Sequence, residues 1–520
     1  MQIKNLRIDN HLCLVDFNIQ FETNDGGSST IIIGDNGSGK STMIEAILEI
    51  LVSFDSPKIE KDISYSYEIE YNYAEKDITI TKVEHRYRVV IDEVSFEGSY
   101  ESIKSHLTDN RIFPKRIISF YSGSNDKLKI KLNNVTTNYK KKCRKVIDAF
   151  LEEMSSEETG MIYNLPDRKY LYCDENLTSI YLAAILCGNH SYEKDYLKKC
   201  FSCSKLESID MVIDVDKAEA LFGRGKFEGD QPTGLYYLSD YIDHRFTDIL
   251  KRGFIYSSIG KSYFTLSKID ELEVDSIAIY NYFEKLHLLF DAYYEVTVIQ
   301  NDNYIKCKNL SEGQRQIIKV LGMLGVCKSE DCLVLMDEPD AHMNPKWKYE
   351  IKDIIDEVLK QSTNTQALIA THDPLVINGV SKNFIRIFER NNETGFTKVI
   401  KPESDTEGMG IDGLLQSEYY GLRTSYDKKA TQEFEKRQIL YEKLINNEIN
   451  DEEKEELRKL TKEISSMPIS TNSIDFLYDD FIRVFRKMKE YKKEYLAFDE
   501  IQERNKKIKE IIQALFEGQV

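Results

Sequence analysis

The sequence has no apolar run near the roughly 18 residues that a membrane-spanning helix needs. It has no signal-peptide core either, because Met1-Gln2-Ile3-Lys4-Asn5 opens on strand-like alternation. A basic excess is also missing. The formal charge is −18 over 520 residues, which excludes a protein that simply coats nucleic acid and confines any such contact to a local patch. The nine cysteines stand at scattered spacings, and without an export signal they read as reduced thiols in a cytoplasmic protein with no membrane contact. Sustained heptads are absent from residues 126–296, which excludes a long coiled coil there. What remains is a globular chain, 41% hydrophobic and 30% charged, with room for roughly two to four domains.

One cysteine cluster has two readings. Cys187-x-x-His190 and Cys200-x-x-Cys203 have zinc-like half-site spacing. Cys187 also ends the apolar run Ile180, Leu182, Ala183, Ala184, Ile185, Leu186, where packed thiols are the default.

The most informative segment is Gly34-Asp35-Asn36-Gly37-Ser38-Gly39-Lys40-Ser41, a G-x-x-x-x-G-K-S loop. It lies between the strand-like Ile31-Ile32-Ile33 and the helix-like Thr42–Leu48. Glycines let such a backbone curl so that its N–H groups point at phosphates, and the following helix adds its dipole. Asn36, Gly37, Ser38, Gly39 and Thr42 are the backbone candidates. Lys40 is placed to reach the outer phosphates, and Ser41 to ligate Mg²⁺.

Further motifs follow in order. Leu310-Ser311-Glu312-Gly313-Gln314 opens a helix reaching about Cys327. Leu333–Asp337 is an apolar strand ending in Asp337-Glu338, followed by the turn Pro339–Pro345. Ala367–Thr371 is another buried-type strand, ending at His372-Asp373. With this set the chain resembles the ABC-type ATPases, in the soluble branch that includes SMC, Rad50 and RecF. The implied fold is α/β: an ABC-type P-loop ATPase head, with a mixed β-lobe and a parallel-sheet core.

The resemblance also implies roles. Asp337 would hold Mg²⁺ with Ser41, Glu338 would activate the attacking water, and His372 would contact the γ-phosphate beside Lys40. Ser311, with Gly313 and Gln314, would close over ATP held by a second copy, which makes a homodimer. The family often places a Gln after an early strand; Arg116–Asn125 has none, leaving Ser122 or Asn125 as its replacement. After His372 there is no D-x-D and no further histidine, so no TOPRIM, HNH or HD nuclease follows in this chain.

The motif spacing divides the chain. Residues 1–125 carry the loop and a β-lobe, whose first strand shows in the alternation Ile63, Tyr65, Tyr67, Ile69, Tyr71, Tyr73. Residues 126–296 read as a mostly helical insertion, 297–400 as the rest of the head, and 401–520 as a helical C-terminal region with the stripe Ile474, Leu477, Tyr478, Phe481, Phe485. Two basic runs, Lys127–Lys145 and Arg483–Lys493, are candidate DNA or RNA contacts or, equally, solvated faces. The compact insertion, the segment Phe120-Tyr121-Ser122-Gly123 and Gly408–Leu422 make the chain similar to the ATPase subunits of Septu-type and retron-associated anti-phage systems. That resemblance implies a separate effector, commonly an HNH nuclease; the alternative is a DNA-repair ATPase.

Overall fold

The computed structural model describes residues 1–465 apart from 24–27, 110–111, 124–126, 155–164, 189–190, 215, 218–254, 260–262, 268–275, 329–330, 361, 363, 392, 423–426 and 446–448. The chain separates into two compact units, Met1–Gly421 and Leu422–Val520. Among the described residues no helix is long and apolar enough to cross a membrane.

The first unit is built on a seven-stranded sheet. Its order is Thr397–Ile400, Ile385–Arg390, Ser28–Gly34, Gln366–Ala370, Cys332–Asp337, Arg116–Tyr121 and Tyr170–Tyr172. All neighbours are parallel except the edge pair Thr397–Ile400 and Ile385–Arg390. Parallel strands covered on both faces read as continuous apolar runs, and Cys332–Asp337 is buried along its whole length.

Side-chain alternation sends these strands into two separate cores. Ile32, Ile117, Leu333, Leu335 and Leu368 face the helix Lys40–Ser53 and the β-lobe. Ile31, Ile33, Ile118, Val334, Met336 and Ile369 face the helices Glu312–Cys327 and Thr178–Cys187. Burying one such side chain stabilises by roughly 1.5–3 kcal/mol, so the sheet is held from both sides.

The β-lobe is a six-stranded antiparallel sheet ordered Leu14–Gln20, Gln2–His11, Tyr67–Tyr73, Lys76–Val83, Arg86–Ile91 and Val94–Gly98. Tyr67, Ile69, Tyr71 and Tyr73 are buried while the residues between them are half-buried, following the alternation of the sequence. Gln366 stitches this lobe to the parallel sheet, accepting from Ile3 N at 2.7 Å and donating to Ile3 O at 3.1 Å.

Helices hold most of the described residues of the insertion, but it also carries a sheet that the sequence did not announce. Besides the helices Lys127–Met154, Thr178–Cys187, Ser191–Phe201 and Ser276–Phe290, it contributes to a five-stranded antiparallel sheet. The order is Ile255–Ile259, Tyr263–Ser267, Cys203–Val212, Tyr293–Gln300 and Asn303–Lys306. Register shifts in Cys203–Val212, between Cys203 and Lys205 and between Leu206 and Ser208, break the two-residue period that would have announced the strand.

The two compact units divide after Gly421. Residues 401–421 belong to the first unit, where Thr406 is fully buried and its hydroxyl lies 2.8 Å from the carbonyls of Ile377 and Val380. In the second unit, helices Lys428–Ile445 and Asp451–Ser465 share a small core of Leu440, Leu457 and Leu460. The stripe at 474–485 and the run Arg483–Lys493 lie outside the described residues.

Candidate nucleotide site

The strand Ser28–Gly34 runs through a glycine-rich turn into the helix Lys40–Ser53. Gly34, Gly37 and Gly39 all have positive φ, at 146°, 78° and 100°. Space demands glycine at two of them as well. A Cβ on Gly34 would stand 2.1 Å from the Phe388 carbonyl oxygen, and one on Gly39 would stand 2.6 Å from the Thr397 hydroxyl. Asp35, Asn36, Gly37 and Ser41 are exposed, whereas Ser38 and Lys40 are buried. Thr42 is half-buried, its hydroxyl 4.0 Å from Cys13 Sγ.

Lys40 Nζ donates to the carbonyls of Gly34 at 2.6 Å and Asp35 at 3.0 Å. Burial pulls its pKa below the ordinary lysine value, against the opposing pull of Asp337, Glu338 and Asp35. Across the loop, Asp337 ends the central strand almost fully buried. Burial pushes its carboxyl up to about 6, with Glu338 and Glu45 adding and the Ser41 hydroxyl bond and Lys40 opposing.

Glu338 is in the left-handed region at φ 53°, uncommon for a residue with a side chain. Its N–H donates to Ala370 O at 2.8 Å, extending the pairing of the two parallel strands by one residue. That turn brings Glu338 Oε1 to 3.0 Å from His372 Nδ1, at the end of the neighbouring strand. Asp340, two residues on, is buried; its pKa is raised by burial, against a hydrogen bond from Thr371.

Ser311 caps the helix Glu312–Cys327 through a capping box. Its hydroxyl accepts from Gln314 N at 3.3 Å, and its own N–H donates to Gln314 Oε1 at 2.9 Å. The Gln314 side chain is therefore engaged within its own loop. Gly313 lets this loop press on the turn after Glu338, since a Cβ there would stand 2.9 Å from His342 O. Gln316 Nε2 reinforces the contact, donating to Pro339 O at 3.0 Å. The loop at Ser311 and the acids Asp337 and Glu338 thus share one rigid support.

Ser122 lies beside this centre, its N–H donating to Asp337 O at 3.3 Å; Asn125 lies outside the described residues. Tyr121, in register with Asp337, stands in the Phe120–Gly123 segment, but no motif marks it as a site residue. Burial raises its phenol pKa, with Asp337, Glu338 and Glu45 adding. Only the position of Tyr121 next to Ser122 could have suggested it.

Other expected sites divide. Three of the eight cations in the run Lys127–Lys145 are neutralised internally: Lys127 pairs with Glu45, Lys129 with Asp174, and Lys131 with Glu49. Lys140, Lys141, Lys142, Arg144 and Lys145 stay exposed. Of the cysteine cluster, Cys187 and Cys203 are buried in the apolar core, Cys200 is half-buried against it, and His190 lies outside the described residues. Among the described residues no group of three or more His, Cys, Asp or Glu is arranged to hold a metal.

The family model of the RecF/RecN/SMC N-terminal domain matches residues 2–395. The chain belongs to that family. Its fold is that of an ABC-type P-loop ATPase head, and it is an ATPase of the SMC type. The retron Vc95 probable ATPase of Vibrio cholerae serotype O1 biovar El Tor is 23% identical over 417 residues, covering 75% of this chain and 74% of that protein. The Septu protein PtuA of Bacillus mycoides (strain KBAB4) is 28% identical over 173 residues, 32% of this chain and 23% of PtuA. Among solved structures, the SMC head bound to the C-terminal winged-helix domain of ScpA covers 77% of this chain and 97% of its own, with 15% identity and a TM-score of 0.34.

Proposed function

We propose that this SMC-type head is an ATP-hydrolysing switch that dimerises around two nucleotides and governs a separate effector. The observation that carries the hydrolysis reading is the Glu338–His372 pair, held at 3.0 Å beside the glycine-rich loop. Glu338 is the general base, accepting a proton from the attacking water, and His372 orients it. Lys40 exchanges its two carbonyl acceptors for phosphate oxygens, a stronger, charge-assisted bond.

The residues also fit Mg²⁺. Ser41 and Asp337 are an oxygen-only pair, already hydrogen-bonded, and a buried carboxyl pushed up to about 6 is the group a cation would stabilise in its charged form. When bound, the ion would neutralise phosphate charge. Ser311 offers an exposed, capped helix N-terminus for the nucleotide of a second copy.

The setting is proposed from the relatives: a cytoplasmic anti-phage defence complex in which the dimer reports nucleotide state to an effector such as an HNH nuclease. A second reading, a DNA-repair ATPase, is favoured by the exposed cations at Lys140–Lys145. Size-exclusion chromatography with light scattering tests the switch. Glu338→Gln with ATP and Mg²⁺ should run as a dimer, and Ser311→Arg in that background should run as a monomer that still binds ATP. A monomer in the first case sinks the sandwich. Co-purification with the products of neighbouring genes tests the setting.

A further inference from the structure

We infer that Arg390 contacts the terminal phosphate of the bound nucleoside triphosphate, reaching the glycine-rich loop from the hairpin beside it. This rests on the nucleotide reading above and adds to it a cation outside the loop motif. The strand Ile385–Arg390 runs parallel to Ser28–Gly34, with Phe388 in register with Gly34, so its last residue emerges beside the turn. One Arg390 guanidinium nitrogen lies 3.7 Å from where a Cβ on Gly37 would stand. Gly37 belongs to the outer half of the turn. Gly34, Asp35 and Asn36 of that half share a cleft of about 320 Å³ with His372, Phe388 and Glu389.

The hairpin that presents Arg390 is fixed on both strands. Asn391 N donates to Phe396 O at 2.9 Å, and the Asn391 side chain accepts from the N–H groups of Glu393 and Thr394. On the return strand, Thr397 donates its hydroxyl to Ser38 O at 2.7 Å and its N–H to Cys13 O at 2.9 Å. The guanidinium is therefore delivered by a rigid support bolted to the loop itself.

Charge says what it is for. Arg390 is exposed and makes no ion pair among the described residues, although acids crowd this end of the sheet in Asp35, Asp337, Glu338 and Glu389. A polyphosphate adds more negative charge, and Lys40 is a single cation. A planar guanidinium suits two phosphate oxygens at once, and no water need be ordered to link them.

Equilibrium binding of the full chain to AMP-PNP and to ADP, each with Mg²⁺, tests the assignment in wild type, Arg390→Ala, Arg390→Lys and Lys40→Ala. Losing a charge-assisted contact should weaken AMP-PNP by about tenfold or more in Arg390→Ala. ADP, lacking the terminal phosphate, should stay within about twofold, and Arg390→Lys should recover part of the loss. Equal weakening of both nucleotides, or no change in either, overturns the inference. Lys40→Ala separates the two levels. If it too leaves binding intact, the nucleotide reading has failed, whereas loss of binding there with none in Arg390→Ala removes Arg390 alone. Should alanine lower the melting temperature of the nucleotide-free protein, Arg390→Met keeps an aliphatic stem without the charge and gives the same comparison.

Discussion

His372 Nδ1 and Glu338 Oε1 stand 3.0 Å apart at the ends of two adjacent parallel strands, 34 residues apart in the chain. The contact exists because Glu338 takes a left-handed turn just where its strand stops, keeping its N–H on Ala370 O while its carboxylate swings sideways. Strained backbone at a strand end persists when the surroundings over-determine it, and here the parallel sheet does so. A carboxylate placed as general base should be worth about 10²–10⁴ in rate. Glu338→Gln is expected to lose that much steady-state ATP turnover while binding ATP with wild-type affinity. His372→Ala should lose less. Parallel loss of affinity in Glu338→Gln would argue for a binding role instead.

How much of this was readable from the chain depends on what carried the information. The loop, the acid pair and the two strand ends are local: residue types at fixed spacing beside apolar runs, and their strands and helices appear where those runs stand. The capping box was equally legible, since Ser311-x-x-Gln314 is its pattern, yet Gln314 was assigned to nucleotide. The insertion's sheet was hidden by register shifts in Cys203–Val212. Arg390 and Tyr121 were invisible as site residues for another reason: register alone brings them to the centre, Phe388 opposite Gly34 and Tyr121 opposite Asp337. Pairing between strands distant in sequence leaves no local mark.

Gly34 tests how tightly the loop is built. Gly34→Ala must adopt φ 146° and place its methyl 2.1 Å from the Phe388 carbonyl, which belongs to a paired strand and cannot rotate away. The substitution should destabilise the protein by at least about 2 kcal/mol through backbone strain and clash. Urea denaturation measures the loss directly. A change within experimental error would show that the turn has other conformations open to it.

Asp55 gives a pH signature away from the nucleotide. Burial pushes its carboxyl up, but the Lys169 ammonium at 2.6 Å and a hydrogen bond from the Tyr170 hydroxyl outweigh that. Its folded pKa therefore lies below the ordinary value of 3.8. A depressed folded pKa stabilises above the unfolded value, and that stability is lost as pH falls through the folded value. Asp55→Asn should be less stable than wild type near pH 7, with the gap closing below about pH 4. A gap that stays constant from pH 7 to pH 3 would mean the shape of the contact matters and its charge does not.

The exposed cations of the helix Lys127–Met154 decide between the two settings. With Lys127, Lys129 and Lys131 neutralised by Glu45, Asp174 and Glu49, any phosphate contact by this helix falls to Lys140, Lys141, Lys142, Arg144 and Lys145. Each phosphate neutralised on duplex DNA contributes about 0.9 to the slope of log affinity against log salt. The triple variant Lys141→Glu/Lys142→Glu/Lys145→Glu should therefore flatten that slope by up to about 3 if these residues grip DNA. A repair ATPase should also show ATP turnover that rises with DNA and loses that response in the variant. If wild type binds duplex weakly and the variant matches it, the five cations are a solvated face. The defence reading, in which a protein partner reads the dimer, then stands without its rival.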